Sequence, residues 1–196
     1  MKKIIQFKAA LFPTLICIMG LLVTSCGNKT ETEDTKEIAE EHNEAKFDNN
    51  KEFDSQFLVN AAEVNLEEIQ LSQLAQQKCT MTEVKELGVM MEKAHTKAST
   101  DLTDLASKKM ITIPTSLTDN GKNAYEKLNN KKGTNFDKEY CDMMVKGHKD
   151  AIDMFEKAET KCTDPDIKQW ASNMLPELRT HLDHAITCQK KCENMN

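Results

Sequence analysis

Met90-Met91-Glu92-Lys93-Ala94-His95 is echoed further along the chain by Met143-Met144-Val145-Lys146-Gly147-His148. Both stretches read as helix, because Met, Leu, Ala, Glu and Lys dominate around them and glycine and proline are scarce. Each histidine falls on the apolar stripe of its segment. His95 is in phase with Val84, Met91, Ala98 and Leu102, and His148 with Cys141, Met144, Ala151, Ile152 and Phe155. A third histidine, His181, follows Glu177 by one turn and shares its stripe with Ile167, Met174, Leu178 and Ala185. Imidazoles directed into a mostly apolar interior need a partner there.

Working outward, the pattern gives four long helices. The first spans about residues 52–77 and carries Phe57, Val59, Ala62, Leu66, Ile69 and Leu74. The second begins at Thr80-Met81-Thr82-Glu83, which has capping-box spacing, and runs to about Lys109. The third spans about 137–160. The fourth starts at Asp164-Pro165, a cap followed by proline at the first helical position, and reaches about Lys191, with a kink expected at Pro176, which removes one amide and crowds the preceding turn. Between the second and third lies a long connection, residues 110–136, with a short helix around 118–129. Helices of about 25 residues are about 37 Å long and bury their stripes best in a bundle. The predicted fold is therefore all-α, a four-helix bundle over residues 53–192. Short first and last connections make two antiparallel hairpins, and the repeated Met-Met signature suggests that an approximate two-fold relates them.

At about 1.5 Å per residue, Glu63, His95, His148 and His181 all come near mid-height. Glu63 is in phase with Val59, Leu66 and Leu74. One carboxylate and three imidazoles at one level suit a divalent transition metal: zinc, copper(II) or iron. The other reading is three core histidines, each hydrogen-bonded to a neighbour. Met91 and Met144 precede a histidine by one turn, so sulfur with imidazole could form a copper(I) set, although methionine commonly fills core gaps. Glu92 and His95 have the Glu-x-x-His spacing of di-iron bundles. Glu177 and His181 are one residue too far apart for its counterpart, and no Glu lies near His148, which disfavours a di-iron oxidase. His184, one turn beyond His181, is a further but edge-facing candidate.

The N-terminus has the form of a targeting segment. Lys2, Lys3 and Lys8 precede an apolar run from Ala9 to Val23. The run ends in Val23-Thr24-Ser25-Cys26, small residues before one cysteine, which resembles the lipobox of bacterial lipoproteins. That resemblance implies a signal peptide over residues 1–25, lipidation at Cys26 and a membrane partner reached through the acyl chains. It places the protein in a bacterial cell envelope, on the periplasmic side of the outer membrane. The full chain carries a net charge of −6, and residues 1–25 hold three lysines and no acid, leaving −9 for the remainder. That charge argues against nucleic acid as a partner. Residues 26–52 are rich in charge and almost without large apolar side chains, so they read as a flexible acidic tether, with His42 exposed in it.

The helical segment also resembles an exported bacterial family of uncharacterised proteins, domain of unknown function 4142, which is grouped with ferritin-like bundles. The matching elements are Ala62-Glu63-Val64, Met91 with His95, Phe136-Asp137 with Tyr140 and then His148, and Leu175-Pro176 with His181-Leu182. Ala94 departs from the pattern, standing where the family often has an acid. The resemblance implies a ferritin-like fold and an exported location, and no activity.

Five thiols remain beyond Cys17 and Cys26: Cys79, Cys141, Cys162, Cys188 and Cys192. An odd number leaves one unpaired in a monomer. If the long connection crosses the bundle, Cys79, Cys141, Cys188 and Cys192 gather at one end and Cys162 lies at the other. The expected bridge joins Cys79 to Cys188 or Cys192, with binding of a soft metal as the alternative. No nucleophile-and-base pair, phosphate loop or Cys-x-x-Cys motif is present, so catalytic residues are not assigned. The leading functional expectation is a metal-binding envelope lipoprotein for metal handling or stress protection. A non-catalytic interaction bundle and a small metal-dependent oxidase or peroxidase are the alternatives.

Overall fold

A computed structural model describes residues 34–47 and 49–194, leaving aside the side chains of residues 49 and 50. The signal segment and Cys26 lie outside the described residues. The described chain is all-helical: α1 (Thr35–Glu44), α2 (Asn49–Lys78), α3 (Thr82–Lys109), α4 (Asp119–Asn129), α5 (Thr134–Lys161) and α6 (Pro165–Glu193). Among the described residues, no helix is long and apolar enough to cross a membrane.

Helices α2 and α3 form one hairpin and α5 and α6 the other. Their mutual sense follows from who caps whom. The carboxylate of Asp137, in the first turn of α5, accepts from the Thr80 and Met81 amides at 3.0 and 3.1 Å and from the Thr80 hydroxyl. Helices α3 and α5 therefore start at the same end and run parallel. At the opposite end Lys109, the last residue of α3, pairs with Asp164 and Asp166 at the start of α6, at 2.7 and 2.6 Å. The connection from 110 to 133 thus runs back along the bundle, with α4 packed on α2 and α5. Gly133, with φ +57°, makes the final turn that no L-residue would favour, so α5 starts at Thr134 and puts Phe136 and Asp137 inside its first turn.

The capping box expected at Thr80 is replaced by this tertiary cap. The N-cap residue of α3 is Met81, which has no side-chain capping bond; Asp137 supplies it from the other hairpin. The same device recurs at the far end. Asp54 accepts from the Thr163 amide at 2.8 Å, the Thr163 hydroxyl at 2.8 Å and the Asp164 amide at 2.9 Å. Both turns read Lys-Cys-Thr, at 78–80 and 161–163. The approximate two-fold therefore maps α2 onto α5 and α3 onto α6. The Met-Met-His signatures on α3 and α5 are not its mates.

One expectation for the N-terminal part changes. Residues 34–47, read as tether, carry α1 and pack on the bundle. Asp34 accepts from Lys36 N and from Asp119 N, at 3.0 Å each, so one carboxylate caps two helices. Asn43 is buried and bonds both backbone groups of Thr112, at 2.8 and 2.9 Å. A charged composition did not prevent ordering, because specific polar contacts and the burial of Ala39 supply what large apolar groups lack. His42 is exposed, as expected. Helix α6 runs unbroken through Pro176.

The interior has three layers. One apolar cluster holds Leu71, Met91, Phe136, Tyr140, Met144 and Ala185. The other holds Phe57, Leu102, Phe155, Ile167 and Leu178, with Phe57 edge-on to Phe155 at 5.0 Å between ring centroids. Between them in sequence order on all four long helices lie the buried residues Asn65, Glu68, His95, His148 and His181.

Candidate metal centre

The three histidines meet. Their ring centroids form a near-equilateral triangle, 5.4 Å from His95 to His148, 5.6 Å from His95 to His181 and 5.4 Å from His148 to His181. One nitrogen from each lies within 4.8 Å of the others. They are 3%, 0% and 5% exposed, respectively.

The carboxylate that joins them is Glu68. Its Oε2 is 2.6 Å from His95 Nε2, and its Oε1 is 3.4 Å from His148 Nδ1. Glu63, the expected ligand, lies elsewhere. It accepts from Lys36 Nζ at 2.6 Å, Thr118 Oγ1 at 2.9 Å and Asn120 Nδ2 at 3.1 Å, so it fastens α1 and α4 to α2. Five residues along a helix turn the side chain by about 140°, which puts Glu63 and Glu68 on different faces. Helix α2 touches α1, α3, α4 and α5. Its apolar residues therefore spread around most of its circumference and no single stripe sets the phase. The signal for Glu68 is a polar series in phase with the core: Asn65, Glu68 and Ser72, at i, i+3 and i+7, all buried.

Neighbours fix the tautomers of two of the rings. His95 Nδ1 donates to Asn65 Oδ1 at 2.8 Å, and His148 Nδ1 donates to the Met144 carbonyl at 2.9 Å. With Nδ1 carrying the proton, the Nε2 of each ring presents a lone pair. His181 has its Nε2 3.8 Å from Glu177 Oε1 and its Nδ1 buried. Among the described residues, five buried side-chain polar atoms have no hydrogen-bond partner, and four belong here: Glu68 Oε2, His95 Nε2, His148 Nε2 and His181 Nδ1. The atoms of His148 and His181 are left without a polar partner, and those of His95 and Glu68 face each other at 2.6 Å beside the three converging rings. Such atoms are costly to bury unless a cation serves them. With His95 protonated, the 2.6 Å approach of its Nε2 to Glu68 is an ion pair.

The charges of these groups are coupled. Burial alone would raise the pKa of Glu68, but the imidazoles of His95 and His148 overcome it and hold the group at about 2. Burial lowers that of His95 and Glu68 more than restores it, so it ends above the usual value. Burial and the two neighbouring imidazoles push His181 down to about 4. A proton can stand in for a cation between His95 and Glu68, but it cannot also serve His148 and His181.

Gly147 completes the centre. A Cβ there would come to 3.0 Å from Glu68 Oε1, so the glycine before His148 makes room for the carboxylate. A surface cavity of about 420 Å³, lined in part by Glu67, Glu68, Lys127, Lys146 and Gly147, reaches this side of the centre.

The remaining expected ligands are placed as follows. Met91 and Met144 are buried in the apolar cluster above the histidines. Glu92 accepts from Gln73 at 2.8 Å and Gln76 at 2.6 Å and tethers α3 to α2. Glu177 is half-exposed and touches the centre only through the outer edge of His181. His184 is exposed and lines a different surface groove. Of the cysteines, Cys79, Cys141, Cys162, Cys188 and Cys192 are all free thiols. The bridge expected from Cys79 to Cys188 or Cys192 is not formed. The sulfurs that converge are those of Cys141, Cys188 and Cys192, because Cys141 faces inward one turn after Asp137.

Residues 38–187 match the family described as domain of unknown function 4142, and the chain belongs to that family. No curated protein and no solved structure matches it.

Proposed function

We propose that this protein is a cell-envelope lipoprotein whose bundle holds one transition metal ion through His95, His148, His181 and Glu68. The observation that carries the reading is the set of four buried ligand atoms, each without a hydrogen-bond partner, on four helices at one level. Three nitrogens and one oxygen suit zinc, copper(II) or iron. Asn65 and the Met144 carbonyl hydrogen-bond the outer nitrogens of His95 and His148 and so orient those two rings. A centre shielded from water favours holding an ion, for metal handling or stress protection, over turning over a substrate. The parallel course of α3 and α5, with a connection along the bundle, supports a ferritin-like arrangement. The small residues before Cys26 support lipid attachment on the periplasmic side of the outer membrane.

The test is elemental analysis of the chain after expression with export, alongside His148→Ala. Near-stoichiometric metal that disappears in the variant supports the assignment and names the element. Two folded, metal-free proteins that stay empty after exposure to zinc, copper and iron would reduce the cluster to a structural polar layer.

A further inference from the structure

A second group of ligands lies at the end of the bundle where α3 and α5 begin and α6 finishes. Cys141 comes from the second turn of α5, Cys188 and Cys192 from successive turns near the end of α6, and Met81 from the N-cap of α3. Cys141 Sγ is 3.7 Å from Cys192 Sγ, and Cys192 Sγ is 3.5 Å from Met81 Sδ. The three thiol sulfurs lie within 4.8 Å of one another. All four residues are buried. With metal–sulfur bonds of about 2.3 Å, sulfurs around one ion lie about 4.0 Å apart in a trigonal site and about 3.8 Å apart in a tetrahedral one. A disulfide requires about 2.05 Å. The 3.7 Å between Cys141 and Cys192 is close to the spacing of two sulfurs sharing an ion.

The donor set is all sulfur. Asp137, at the same end, has its carboxylate engaged by Thr80 and Met81. Thiolates with a thioether select a soft, low-coordinate ion. A groove of about 280 Å³ opens beside Cys188, with Glu83, Glu86 and His184 on its walls. Lys191, also on its wall, pairs with Glu83 at 3.1 Å, which leaves Glu86 as the unpaired carboxylate at that mouth.

We infer that Cys141, Cys188 and Cys192, with Met81 as a weak fourth donor, form a copper(I) site separate from the histidine centre. Each ligating thiol releases its proton to solvent as the ion binds.

The test uses the full chain, purified in detergent, reduced and kept anaerobic, and titrated with copper(I) against a coloured copper(I) chelator. His148→Ala combined with His181→Ala removes the other centre, so failure at one site is distinguishable from failure at the other. The expected result is one copper(I) retained in that double variant, with a first shell of sulfur at about 2.3 Å by X-ray absorption. Adding Cys192→Ser weakens binding by more than about a hundredfold. Should that variant fail to fold by circular dichroism, Met81→Leu, close in volume, keeps the stoichiometry and lowers affinity severalfold. A nitrogen-rich first shell, affinity unchanged by both substitutions, or a reduced, folded protein that takes up no copper would overturn the site. So would a Cys141–Cys192 disulfide in a protein that takes up no copper once reduced.

Discussion

Glu68→Gln and Glu63→Gln separate the centre from its scaffold. At a zinc concentration about one hundred times Kd, a site that binds only the folded state adds about 2.7 kcal/mol. For a domain of this size that raises Tm by roughly 5 to 10 °C. Glu68 is the only anion among the four proposed ligands and its carboxylate touches two of the imidazoles. Replacing it with an amide weakens binding by at least the roughly hundredfold upper range seen for outer-shell partners. At the same zinc concentration about 0.4 kcal/mol remains, a rise of about 1 °C. Glu63 behaves in the opposite way. Its ion pair with Lys36 is partly shielded, with side chains 13% and 22% exposed, respectively. Losing that charge-assisted bond costs about 1.5 kcal/mol, which lowers the metal-free Tm by roughly 3 to 6 °C. The zinc-dependent increment stays as in the wild type. Thermal melts with and without zinc, backed by calorimetric titration, read both quantities. If Glu63→Gln abolishes the increment or Glu68→Gln keeps it whole, the assignment of the carboxylate is wrong.

The two capping aspartates make a matched pair. Asp54→Ala and Asp137→Ala each remove a carboxylate that serves two backbone amides and a hydroxyl across the hairpins. Each should cost about 3 kcal/mol in urea unfolding; a loss under about 0.5 kcal/mol would mean that water replaces the cap. Gly147→Ala should leave metal-free stability equal or up to about 1 kcal/mol higher, from helix propensity, while its Cβ crowds Glu68 and weakens zinc binding. Unchanged zinc affinity would show that the carboxylate has room to move. Asn43→Ala leaves both backbone groups of Thr112 without their partner and should destabilise the protein by about 2 kcal/mol. No effect on the melt would restore the view of this segment as a loose tether.

Much of the architecture is legible along the chain. The Asp164-Pro165 start and the short helix around 118–129 are found within a few residues of their expected places. The histidines are legible too, because α3, α5 and α6 each bury one well-defined stripe that includes its histidine. Helix α2 is different. It is covered by four other helices, so periodicity does not say which of its carboxylates faces inward. The segment around α1 misleads in the reverse sense. Its charges suggest solvation, yet Asp34, Lys36 and Asn43 each close a bond to a residue far along the chain.

The sequence by itself determines an all-helical chain, four amphipathic segments and three imidazoles at a common height, since these follow from local period and rise per residue. Only the tertiary structure decides that Glu68 rather than Glu63 joins the imidazoles, that Asp137 rather than Thr80 caps α3, and that Cys141 joins Cys188 and Cys192. Each of these depends on the rotation of one helix against another. That rotation is set by packing among distant segments, and no local pattern encodes it.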